Sequence, residues 1–128
     1  MKTINAINKY MGQTLDLGHL DCLTMLFEVL GRADLLESTK GRYTTILGAL
    51  RSLPKVTGIK SIRELLGDCE VIENGYFVQD GDLVISEGRH CYIYFSGSLF
   101  GVWDADTFGF RPIELPLQIE NSTIYRLP

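Results

Sequence analysis

From Cys22 to Leu30 the chain reads Cys-Leu-Thr-Met-Leu-Phe-Glu-Val-Leu, apolar at every position except Thr24 and Glu28. No other segment constrains the fold as strongly, because a helix that is apolar nearly all round has to be covered on every side. The run predicts a buried central helix. Asp21 is suited to accept a backbone N–H that the first turn leaves unpaired, and Gly31 is placed to end the last turn.

Other elements must supply the cover. Ile4, Ile7 and the Tyr10–Met11 pair recur at helical spacing, which predicts a short amphipathic helix closed by Gly12. Tyr43, Ile46, Leu47, Leu50 and Leu53 follow the i, i+3, i+4 rule up to Pro54, and Ile59, Ile62, Leu65 and Leu66 repeat it before Gly67. The period then shortens. Segments over 82–86, 90–95, 99–103, 110–115 and 123–127 are β-branched or aromatic and divided by Gly, Asp and Ser. Helices followed by strands predict an α+β fold, with N-terminal helices packed on a C-terminal antiparallel sheet or small barrel. At 128 residues, without repeats or a Pro- or Ser-rich linker, residues 1–128 read as one domain.

Composition narrows the function classes. Twelve Lys and Arg against 16 Asp and Glu give a net charge of −4, which offers nucleic acid no general attraction. Lys40, Arg42, Arg51, Lys55, Lys60 and Arg63 precede an acidic stretch from Asp68 to Glu87; solvated faces are the expected reading of both runs, and a basic rim beside a site for an anionic polymer is the alternative. The opening residues are too polar for a signal peptide, and no apolar run approaches the ~20 residues of a membrane span. Cys22, Cys69 and Cys91 are odd in number and lack CxxC spacing, so neither a disulfide framework nor a metal site is expected, and no cofactor is implied.

Cys22 opens the buried helix, where free backbone N–H groups and the helix dipole favour a thiolate. Such a nucleophile needs a base, and the two histidines are His19, just before the helix, and His90, at the start of an aromatic strand. His90 is the better partner because a helix-borne cysteine, a Gly-Asp-Leu-Val segment and a strand-opening histidine form a recurrent order in cysteine hydrolases. Leu20-Asp21-Cys22-Leu23, Gly81-Asp82-Leu83-Val84 and His90-Cys91-Tyr92-Ile93-Tyr94 resemble, in order and approximate spacing, the signature segments of the NlpC-type papain-like cell-wall cysteine peptidases. A closer resemblance, covering most of the chain and carried by Gly41-Arg42-Tyr43, the helix after it, the Gly-Asp-Leu-Val strand and a terminal β segment, is to an uncharacterised family of tailed-phage and prophage proteins that looks like a distant branch of that fold.

The resemblance implies a papain-like fold and a phage protein of the tail or ejection apparatus, made in the host cytoplasm and carried in the virion among other tail proteins. It further implies a peptidase or amidase cutting peptidoglycan stem peptides. Cys22 would attack the carbonyl, and His90 would hold the thiolate and protonate the leaving amine. Asp104 is the nearest candidate for a third, orienting residue, and His19, Asp21 and Tyr92 are the expected substrate neighbours. Three departures from the peptidase pattern stand out, one being Leu23 in place of the small residue that commonly follows the cysteine. Tyr92 replaces a small residue and, sharing a strand face with His90 and Tyr94, is expected to narrow the space beside Cys22. The strand Leu99 to Trp103 offers no polar side chain for orienting the histidine. The competing expectation is therefore a catalytically silent structural or adaptor module of the virion. A small effector using the same dyad inside the host is a third.

Overall fold

The computed structural model describes residues 2–118 and 121–128. Five helices come first: α1 (Lys2–Tyr10), α2 (Cys22–Leu30), α3 (Ala33–Thr39), α4 (Ile46–Thr57) and α5 (Ile62–Leu65). The strands are β1 (Glu70–Ile72), β2 (Leu83–Ser86), β3 (His90–Phe95), β4 (Ser98–Val102), β5 (Phe108–Pro112) and β6 (Ser122–Arg126). They form one sheet in the order β1-β6-β2-β3-β4-β5, antiparallel at every pairing. The α+β reading holds, and the sheet has two ends, at β1 and β5, rather than closing into a barrel.

The central helix forms as its sequence dictates. Asp21 caps it reciprocally with Thr24: the Thr24 N–H donates to the Asp21 carboxylate at 2.9 Å, and the Asp21 N–H donates to the Thr24 hydroxyl at 2.8 Å. Gly31 ends it with φ 69°, a left-handed conformation that glycine takes without steric cost. Met25, Leu26 and Phe27 are fully buried, and α2 packs on α1, α3 and β3.

Three local expectations are corrected. The fourth helix does not begin at Tyr43; Thr45 caps it, and Tyr43 stays in the preceding loop with its ring buried. Nor does it stop at Pro54. The helix runs on to Thr57, with Pro54 in its last turn and a half and the N–H of the left-handed Gly58 donating to the Pro54 carbonyl to close the end. Helix α3 and strand β1 were not expected, since seven residues with two large apolar groups and three residues with one acidic member give little periodic signal.

The sheet has a packing cluster on each face. Leu83, Ile85, Cys91, Ile93 and Phe100 join the helices in the larger one. Val84, Tyr94, Leu99 and Ile124, with Tyr92 and Trp103 beside them, form the second. Asp82 of the Gly-Asp-Leu-Val segment is buried and works structurally: Arg126 donates to both its oxygens at 3.0 and 2.8 Å, and the Gln79 N–H donates at 2.8 Å. That fork ties the start of β2 to β6.

Candidate active site

The α2 N-terminus is held by a polar knot around Asp21, which is 3% exposed. Besides Thr24, its carboxylate accepts the Gly18 N–H at 2.8 Å and the Tyr43 hydroxyl at 2.6 Å. Tyr10 reaches the same place from α1, its hydroxyl 3.0 Å from that of Thr24. Burial raises Tyr10 to about 12 and raises Tyr43 as well, the Asp21 charge adding to the shift in each case. Asp21 is thus the organising anion of this end of the helix, with its acceptor sites occupied by protein donors.

Cys22 follows it, partly buried. Burial pushes its thiol upward, backbone hydrogen bonds from Cys91 and Val102 oppose the rise, and the neighbouring Asp21 charge adds to it. The net direction is up, opposite to the helix-start expectation. The physical reason is burial first, with the neighbouring Asp21 carboxylate repelling a second negative charge beside it; the two backbone hydrogen bonds only partly offset them. Cys91 is buried against the helices and Cys69 lies elsewhere, and burial raises both thiols.

A cavity of about 250 Å³ reaches Cys22, and its lining includes His90, Tyr92 and Trp103. The structure therefore brings Cys22, His90, Asp21 and Tyr92 to one space. Their orientation differs from a simple facing pair. Cys91 and Ile93 belong to the cluster under α2, whereas Tyr92 and Tyr94 pack in the second cluster. By strand alternation His90 stands with Tyr92 and Tyr94, on the face away from α2. The cavity draws residues from both clusters, Leu23 and Val102 from one and Tyr92 and Trp103 from the other, at the start of β3 and the end of β4.

Tyr92 does not close over Cys22. Its ring stacks on Trp103, centroids 4.6 Å apart, in the space that Gly101 leaves by lacking a side chain. Arg111 covers the same indole, its guanidinium 4.6 Å from the ring centroid, and the indole N–H donates to the carbonyls of Leu99 and Gly109.

The remaining candidates lie outside the cavity. Asp104 points away and pairs with Arg111 at 3.0 Å, its side chain 94% exposed, so it does not orient His90. His19 is half exposed, 3.8 Å from Asp16. Among the described residues that is the one histidine–carboxylate approach within 4 Å. Sequence reasoning missed Arg89 and Asp106, which line the cavity beside His90. Their signal is weak, since both are exposed charged residues next to turns. A roomier recess of about 560 Å³ lies at the other end of α2, lined by Val29, Leu30 and the Asp82–Arg126 pair, and does not reach Cys22 or His90.

Among the described residues no cluster of His, Cys, Asp and Glu is arranged to hold a metal ion, and no helix is long and apolar enough to cross a membrane. No curated protein and no solved structure matches the chain. A family model does match, over residues 2–118, and its description is a domain of unknown function (DUF6950). Since that match spans nearly the whole chain, the protein is a member of the DUF6950 family.

Proposed function

We propose that this chain is a catalytically silent, papain-like module that uses the Cys22 cavity for binding rather than bond cleavage. In the phage setting implied by its sequence resemblance, it serves as a structural or adaptor component among tail or ejection proteins. The observation that carries this reading is the setting of Cys22: it is partly buried directly after the buried Asp21 carboxylate, which accepts from Thr24, Gly18 and Tyr43, and burial pushes its thiol up. Strand alternation, which groups His90 with Tyr92 rather than with Cys91 under α2, supports it, as does Asp104 turned out to Arg111. An adaptor also needs surface for neighbours. Val71, Tyr76 and Phe77 are exposed along one shallow groove beside the edge strand β1, an apolar cluster of the kind that marks contact with other proteins.

One observation favours the second reading, a cysteine peptidase or amidase acting on peptidoglycan stem peptides: Cys22 and His90 line the same cavity, whose lining also includes the exposed Arg89 and Asp106. Alkylation of Cys22 by iodoacetamide across pH, in the native protein and in His90→Ala, separates the two. The silent module labels slowly below the ordinary thiol pKa of about 8.5, with a profile that His90→Ala leaves unchanged. Rapid labelling near pH 6 that disappears in His90→Ala would establish an activated ion pair and overturn the silent reading.

A further inference from the structure

We infer that the cavity at Cys22 is a binding site for one uncharged apolar group, a branched aliphatic chain or an aromatic ring, held between the helices and the Tyr92–Trp103 stack. This rests on reading the cavity as a binding pocket and names what that pocket takes.

Size sets the first limit. The volume of about 250 Å³ exceeds the roughly 150 Å³ that accommodates benzene in an apolar cavity. It falls short of the ~300 Å³ at which pockets for whole drug-sized molecules begin. One ring system or one large side chain fits.

Wall chemistry sets the second. Leu23, Leu50 and Ile62 from the helices, Leu17 from the loop before α2, and Trp103, whose ring carries Tyr92 and Arg111, supply the apolar wall. The polar wall groups are not free to receive a ligand: the Tyr43 hydroxyl donates to Asp21, whose oxygens also take the N–H groups of Gly18 and Thr24. Most of the surface lining the cavity is apolar. A charged group placed against that part of the wall would lose its water without a partner there. Arg89, His90 and Asp106 are the ionisable groups around the rest of the lining, and they can meet the polar atoms of whatever carries the apolar group. This chemistry differs from that of stem peptides rich in carboxylates and amines.

Cys22 gives the test a covalent reporter and Cys69, also partly buried but outside the cavity, an internal reference. The native protein is treated with N-benzyl, N-carboxymethyl and N-(2-aminoethyl) chloroacetamides at pH 8.5, rates being normalised to those with glutathione and resolved per cysteine by mass spectrometry. The expected result is saturable labelling of Cys22 by the benzyl reagent, about tenfold or more faster than by either charged one, the gain that removing a ring from water supplies. Cys69 should show no such preference. Equal normalised rates at Cys22, a linear benzyl dependence without saturation, or no native labelling of Cys22 would each overturn the inference.

Protection by reversible competitors identifies the source of the group. N-acetyl-phenylalanine methylamide protecting at lower concentration than benzyl alcohol points to a side chain on a peptide, and equal protection points to a free small molecule. The silent reading is judged separately, by the pH profile and the effect of His90→Ala, so either conclusion can fail while the other stands.

Discussion

Asp21→Ala is the perturbation whose cost follows most directly from the geometry. The substitution removes the acceptor that caps α2, and loss of such a cap costs about 1 kcal/mol, within a range of about 0.5–2. It also strands two donors: the Gly18 N–H, in a buried residue, and the Tyr43 hydroxyl, on a side chain 5% exposed. Each unsatisfied buried donor costs about 1–3 kcal/mol. The three losses share one carboxylate and relax together, so the lower ends apply and the sum is about 2.5–3 kcal/mol. For a chain of this length that lowers the melting temperature by roughly 10 °C or more.

Asp21→Asn should fall between wild type and Ala, because one carbonyl oxygen remains while the amide confronts a donor. Tyr43→Phe alone removes a hydrogen bond to a charged group, about 1.5–3 kcal/mol, but in the Asp21→Ala background it removes only a hydroxyl that already lacks its partner. Urea denaturation of the four proteins of this double-mutant cycle is the assay, with the slope checked for constancy. A cost below about 1 kcal/mol for Asp21→Ala, or the same Tyr43→Phe cost in both backgrounds, would refute the claim that this carboxylate organises the helix start.

Two further outcomes follow from the same structure. Tyr10 is raised to about 12 and Tyr43 is also raised, while unfolded tyrosine titrates near 10. The unfolded chain therefore loses these protons first, so the stability they contribute is complete below about pH 10 and declines as pH rises toward the folded values. Urea midpoints measured from pH 8 to 12 should show that decline, and the Tyr10→Phe/Tyr43→Phe pair should flatten it. Gly101→Ala would place a methyl group on the Tyr92 ring. It should cost about 1–3 kcal/mol and alter the fluorescence of Trp103, the single tryptophan, because Tyr92 can no longer lie flat against it; an unchanged emission spectrum would count against the stack.

Local chemistry was legible in the sequence wherever a residue acts on its near neighbours. The bounds of α2, its cap at Asp21 and its left-handed stop at Gly31 follow from rules that operate within one helical turn. The change of period after Gly67 announced helices followed by strands, and alternation along β3 put Cys91 and Ile93 on one face and Tyr92 and Tyr94 on the other. Short or atypical pieces were not legible. Helix α3 and strand β1 owe their form to packing on α2, α4 and β6 rather than to a pattern of their own, and Pro54 sits inside a helix because the turn beyond it is already supported.

What decides function lay in tertiary placement. The sequence alone determined that His90 shares a strand face with Tyr92, and that Cys22 starts a buried helix. Which face of β3 meets that helix is set by which set of side chains, Cys91 and Ile93 or Tyr92 and Tyr94, fits beneath α2, and both sets are apolar enough to do so. The charge state of Cys22 was open for the same reason: helix N-terminal N–H groups can serve a thiolate or a neighbouring carboxylate. The Tyr43 hydroxyl, 22 positions away along the chain, donates to the Asp21 carboxylate that takes the Thr24 N–H.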